Sequence, residues 1–219
     1  MNGLAMTYVD LARLPEARAL LEATAPLMDA TMGPEHEHTL EVKNNLGWTL
    51  YVMKDYEAAE RIIAPNLEVQ RRVLGPEAVP TLTSLNNLAL IYKATGRYQE
   101  AEAAHREEWS LGRRILGDDH PEVLISMLNL SRVLIASGKR DEAETLLDDA
   151  LGKARSSLPP VHPLLAAIGT AAGEIALAKG RRAEARSLFL QTRGIYEQMF
   201  EPGHERLVRI DELLAKTQP

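Results

Sequence analysis

The chain has 219 residues, 45% of them hydrophobic and 26% charged, which is enough to bury a substantial core in one domain or one continuous array. Its net charge of −6 comes from 25 basic and 31 acidic residues mixed along the chain, so no clustered basic face for nucleic acid stands out. The absence of cysteine excludes disulfides, thiol nucleophiles and cysteine metal sites; no apolar run reaches the length of a membrane span, and the N-terminus lacks the layout of a secretory signal, so the cytoplasm is the expected compartment.

The sequence repeats itself every 42 residues. The segments "MGPEHEHTL" from Met32, "LGPEAVPTL" from Leu74, "LGDDHPEVL" from Leu116, "LPPVHPLLA" from Leu158 and "FEPGHERLV" from Phe200 follow that spacing without a gap. Ala17, Ala59, Ala101, Ala143 and Ala185 lie on the same period, as do Gly96, Gly138 and Gly180.

In chain order, residues 1–32 form a clipped first unit. Met1-Asn2-Gly3-Leu4-Ala5 aligns with Lys43-Asn44-Asn45-Leu46-Gly47, so the first helix begins inside its repeat, and a second helix follows from Leu14. Full units span 33–74, 75–116, 117–158 and 159–200. In the unit 75–116, Pro80 suits a helix start because it has no donor to lose. The spacing predicts a first helix over Thr81 to Thr95, ended by Gly96 in a left-handed cap, and a second over Tyr98 to Leu116, closed by Gly117. Within the last segment, 201–219, residues 207–217 read as a lone closing helix. The layout is a single array of four full pairs, one clipped pair and a cap, and its clipped start points to a fragment of a larger protein. Each pair leaves an apolar face that only a stacked neighbour can bury, which is the logic of a solenoid.

The stretches "NNLGWTLYVMKDYEAAE" and "NNLALIYKATGRYQEAE" resemble the tetratricopeptide repeat (TPR) family. They share its Asn-Leu-Gly/Ala core and its Glu-Ala opening of the second helix, and its Gly-x-Tyr turn is met by Gly96-Arg97-Tyr98 in the second stretch and by Lys54-Asp55-Tyr56 in the first. "LNLSRVLIASGKRDEAE" fits with Leu134 in the tyrosine place and Arg140 in that of the second aromatic, and "GTAAGEIALAKGRRAEAR" is the most divergent copy. The 42-residue period, longer than the family's usual one, is similar to the repeats of kinesin light chains and of many bacterial signalling proteins. The resemblance implies an all-α fold, a right-handed TPR solenoid of antiparallel helix pairs with about five repeats.

It also implies that the first helices line a concave groove. By register, the groove positions are Asn44, Asn86, Leu128 and Thr170, then Trp48, Leu90, Arg132 and Glu174, then Tyr51, Lys93, Ile135 and Leu177. Trp48 and Tyr51, three apart, share one helix face. With the amides of Asn44 and Asn86, and with Lys93 and Arg132 as cations, they would suit an extended peptide or protein segment. Asn45, Asn87 and Asn129 occupy the family's own asparagine position, where the amide is expected to bridge neighbouring helices.

His36, His120, His162 and His204 lie on the period too, one repeat apart. That separation is too great for a shared ion, so they are expected to cap the helices that follow, not to bind metal. His105 stands alone on a second helix. No nucleophile elbow, phosphate loop or dinucleotide fingerprint occurs, and the acid pairs in "LDDA" and "LGDDH" lack a catalytic partner; no catalytic residue and no cofactor are called for. The expected function is therefore a protein- or peptide-binding scaffold within a regulatory or signalling protein. The alternatives are a module that self-associates through the clipped N-terminal end, and a small-molecule receptor or enzyme using the groove. For the last, the small residues of "LLAAIGTAAGEIALAK" could make room for a ligand or let helices pack closely, and close packing is the simpler account.

Overall fold

The computed structural model describes residues 2–218. Met1, aligned with the start of the first helix, and Pro219, in the closing segment, lie outside the described residues. The helices are α1 (Asn2–Asp10), α2 (Leu14–Thr31), α3 (Glu37–Val52), α4 (Tyr56–Val73), α5 (Val79–Ala94), α6 (Tyr98–Leu116), α7 (Pro121–Ala136), α8 (Arg140–Ser157), α9 (Pro163–Ala178), α10 (Arg182–Met199) and α11 (Glu205–Ala215). No strand occurs among the described residues. The fold is all-α, built from consecutive antiparallel helix pairs. The second helix from Leu14 and the helix Tyr98–Leu116 fall where the spacing predicts them. The closing helix begins two residues before the expected Leu207, because His204 caps it at Glu205.

The same chemistry recurs at each helix start. His36, His120, His162 and His204 are the N-cap residues of α3, α7, α9 and α11, and each accepts through Nδ1 from the backbone N–H two residues on, at 3.1–3.2 Å. That bond satisfies one of the donors a helix start leaves without a partner. Ala78 holds the equivalent place before α5 without a side-chain cap. At the turn after each first helix, Gly96, Gly138 and Gly180 have φ of +79°, +86° and +78°. Ala12 and Lys54 occupy the same repeat position with φ of 57° and 65°, in the left-handed region that costs a residue with a Cβ.

The chain divides into two compact units, Met1–Leu111 and Gly112–Pro219. In the first, α1 packs on α2 and α3 on α4, each second helix packs on the next first helix, and first helices also touch one another (α1 with α3, α3 with α5). In the second, α7 packs on α8 and α9 on α10, α11 closes against α10, and α7 touches α9.

Within the helix pairs, large buried residues recur at one second-helix position and small ones at one first-helix position. Leu21, Ile63, Leu147 and Phe189 fall on the 42-residue period, and all are fully buried. The facing first-helix positions, Ala5, Gly47, Ala89, Ser131 and Gly173, are buried and small. A Cβ on Gly47 would stand 2.3 Å from Ile63 Cγ1, and one on Gly173 would stand 2.4 Å from the Phe189 ring, so glycine sets how closely these helices approach. A Cβ on Gly169 would likewise meet Thr192 Oγ1 at 2.9 Å. The small residues of α9 therefore serve close packing rather than ligand space. His105 holds the same repeat position as these large residues, fully buried, with Nδ1 2.9 Å from Glu108 Oε2.

Candidate functional site

The amides come first, because they decide which face of α3 and α5 is available. Asn87 Nδ2 donates to Asn44 Oδ1 at 3.2 Å, and Ser84 Oγ donates to the same oxygen at 2.8 Å. Asn45 Nδ2 donates to Asn2 Oδ1 at 2.8 Å, and Asn2 Nδ2 donates to Glu41 Oε1 at 2.7 Å. Both amide links span 43 residues, one repeat plus one position. The second asparagine of a repeat thus reaches back to the first asparagine position of the repeat before it.

Asn44 is consequently buried, at 7% exposure, with its oxygen already taken by two donors. The groove register puts it on the outward face; in the structure it lies against α5. At the same register Leu128 is also buried, while Thr170 is half-buried and donates its Oγ1 to the Ala166 carbonyl of its own helix. Asn86 keeps partial exposure. In the second unit Asn129 is buried, and its Oδ1 receives Arg132 Nη1 at 3.5 Å.

The other two sets of positions do reach the surface. On α3, Trp48 stacks on Tyr51 with centroids 5.2 Å apart and planes 24° apart. Tyr51 leans in turn on Tyr56 of α4, at 5.7 Å and 50°. Tyr51 and Tyr56 pack against the core of their unit, and burial, then the neighbouring Tyr56, pushes the Tyr51 phenol above its ordinary value. Trp48 is half-buried and rests on that support. Leu90 and Lys93, one repeat on, are also half-buried on α5. Nearby, Arg97 covers the Tyr92 ring at 4.3 Å and pairs with Glu60. Tyr56 and Ser84 are the participants that motif reading passes over. The signal for Tyr56 is the family's aromatic at the opening of the second helix, one turn beyond Tyr51.

The second unit carries a charged face. Glu174 on α9 pairs with Arg209 on α11 at 2.9 Å. Arg132 on α7 is exposed, and no carboxylate lies within ion-pair distance of it among the described residues. Desolvation lowers its pKa, Glu174 opposes that shift and Arg209 adds to it. Arginine titrates so high that it remains charged throughout. Among the described residues no group of three or more His, Asp or Glu could hold a metal ion, and no helix is long and apolar enough to cross a membrane.

Sequence and structure comparisons fit these features. Tetratricopeptide repeat models match residues 1–64, 81–122 and 123–164. The chain belongs to the tetratricopeptide repeat family. A single-residue variant of a Podosopora anserina protein of kinesin-light-chain type, with nearly identical TPR-like repeats, is 27% identical, with a TM-score of 0.79 over 90% of this chain and 93% of that one. The same protein without that substitution gives 27% and 0.77 over 90% and 94%. BtubC (BKLC) from P. vanneervenii is 18% identical, with a TM-score of 0.77 over 93% of this chain and 82% of its own, a likeness of fold. A comparison with curated proteins gives no match. The fold is that of protein–protein interaction modules, and its family is generally one of non-enzymatic scaffolds.

Proposed function

We propose that the first-helix face of residues 1–111 docks an extended segment of a partner protein, with the Trp48–Tyr51 pair as anchor and Leu90, Lys93 and Asn86 beside it. The observation that carries this reading is the stacked pair itself. Tyr51 is held by the core and by Tyr56, and Trp48 is held by Tyr51 while keeping part of its surface open. A pre-ordered aromatic surface gives contact area at low entropic cost, and such anchors dominate interface energetics. In the second unit, Arg132 offers a charged fork suited to an acidic side chain. Within a longer regulatory or signalling protein in the cytoplasm, this surface would select the partner and leave chemistry to other domains.

The test is a peptide array read with the native chain and with Trp48→Ala, Tyr51→Ala and Lys93→Glu. Trp48→Ala is expected to weaken captured peptides by about 2 kcal/mol, roughly thirtyfold. Peptides that tolerate all three changes would remove this face from consideration. A second reading, self-association through the N-terminal end, is favoured by Leu4 on α1 and Leu11 in the turn after it, which are 50% and 63% exposed. Sedimentation at increasing concentration tests it, and a strict monomer would end it.

A further inference from the structure

A pocket of about 400 Å³ opens in the first unit between α2, α3 and α4, and none of Trp48, Tyr51, Asn86 and Lys93 lines it. Its volume lies at the small end of ligand sites. Leu40, Leu46, Ile62 and Val69 make its wall apolar. The charges at its rim are already matched: Lys43 pairs with Asp29 at 2.7 Å, Glu35 with Arg72, and Arg61 with Glu57 at 3.2 Å. A charged ligand would have to displace one of those partners, whereas an uncharged one would not.

Among the lining residues, one side-chain acceptor has no donor in the protein and one helical carbonyl loses its usual donor. Pro65 lies inside α4 and lines the pocket; without an N–H it withholds the helical hydrogen bond from the carbonyl four residues earlier, that of Arg61. The next residue, Asn66, is 4% exposed. Its Nδ2 is fixed on the Leu40 carbonyl at 3.0 Å, and its Oδ1 has no donor in the protein. A buried acceptor without a donor is destabilising, and a ligand donor relieves it.

We propose that this pocket binds a small uncharged amphipathic molecule, its aliphatic or aromatic body against Leu40, Leu46, Ile62 and Val69 and its hydroxyl or amide N–H donated to the acceptors beside Pro65. This site is separate from the peptide face and does not depend on it.

Cyclohexanol at millimolar concentration is the probe, read by methyl-resolved NMR on the full chain. The expected result is saturable shifts of the Leu40, Leu46, Ile62 and Val69 methyls with the Trp48 ring signals unmoved, and at least fivefold weaker binding of cyclohexanecarboxylate and of methylcyclohexane, the second for want of one hydrogen bond. Ile62→Trp, which fills a half-buried wall position, is expected to abolish the shifts while leaving the helical spectrum intact. Absence of saturable shifts, or shifts that persist in Ile62→Trp, would overturn the site. Equal binding of the carboxylate would overturn the assignment to an uncharged ligand.

Discussion

Replacing Gly173 by alanine tests whether glycine sets the distance between α9 and α10. The added Cβ would lie 2.4, 2.7 and 3.0 Å from Cε1, Cδ1 and Cζ of Phe189, where carbon atoms prefer about 3.5–4.0 Å. Three atoms of one flat ring are struck together, and Phe189 is fully buried, so no single rotation clears them. Overpacking of this kind costs about 1–3 kcal/mol, while alanine gains about 0.8–1 kcal/mol over glycine in a helix interior. The expected net loss is about 1 kcal/mol. Gly152 in α8 supplies the control, because nothing lies within 4 Å of a Cβ built there. Gly152→Ala keeps the helical gain without the clash and is expected to stabilise by up to about 1 kcal/mol. Urea denaturation followed by far-ultraviolet circular dichroism should therefore separate the two variants by about 2 kcal/mol, in opposite directions from the native chain. Adding Phe189→Leu to Gly173→Ala should recover part of the loss, as coupled neighbours do. If Gly173→Ala raised the midpoint as Gly152→Ala does, the steric account of this interface would be refuted.

Other expectations follow from the same geometry. Asn44→Ala leaves two donors, Ser84 Oγ and Asn87 Nδ2, without their acceptor, and should cost about 2–3 kcal/mol, against less than about 1 kcal/mol for the half-buried Asn45→Ala; denaturation midpoints compare the two. Lys54→Gly should stabilise by about 0.5–1 kcal/mol in the same assay, because φ of 65° strains lysine where the later repeats have glycine. Tyr51 should ionise above its ordinary 10.0, since burial disfavours the phenolate. The folded state then holds the proton longer than the unfolded one, so the stability Tyr51 contributes is present below pH 10.0 and falls as the pH rises beyond it. A phenolate absorbance titration of native chain and Tyr51→Phe checks this, with one late ionisation expected to vanish and that of Tyr92, also raised by burial, to remain.

The architecture is written in the sequence because it is local and periodic. Glycine after α5, α7 and α9, proline at the start of the same three helices, and alanine at 17, 59, 101, 143 and 185 each act within a turn or a helix pair, so spacing alone reveals them. The capping histidines belong to this class, since the bond each makes reaches only two residues. The candidate site is less legible. Register assigns Trp48 and Tyr51 to one face, but the support from Tyr56 crosses a turn between helices. Asn44 and Asn86 look equivalent in sequence, yet Asn44 is consumed by Ser84 and Asn87 from the neighbouring helix. His105 looks like an isolated polar residue until the structure shows it fully buried at the repeat position that holds Leu21, Ile63, Leu147 and Phe189. The pocket beside Pro65 is invisible to motif reading, because three helices must meet to form it. Periodicity by itself determines which residues recur and which elements they build; tertiary packing alone decides which recurring side chain is spent on its neighbour and which remains at the surface, because burial comes from the paired helix across the turn and the partners of the amides from a helix about one repeat away.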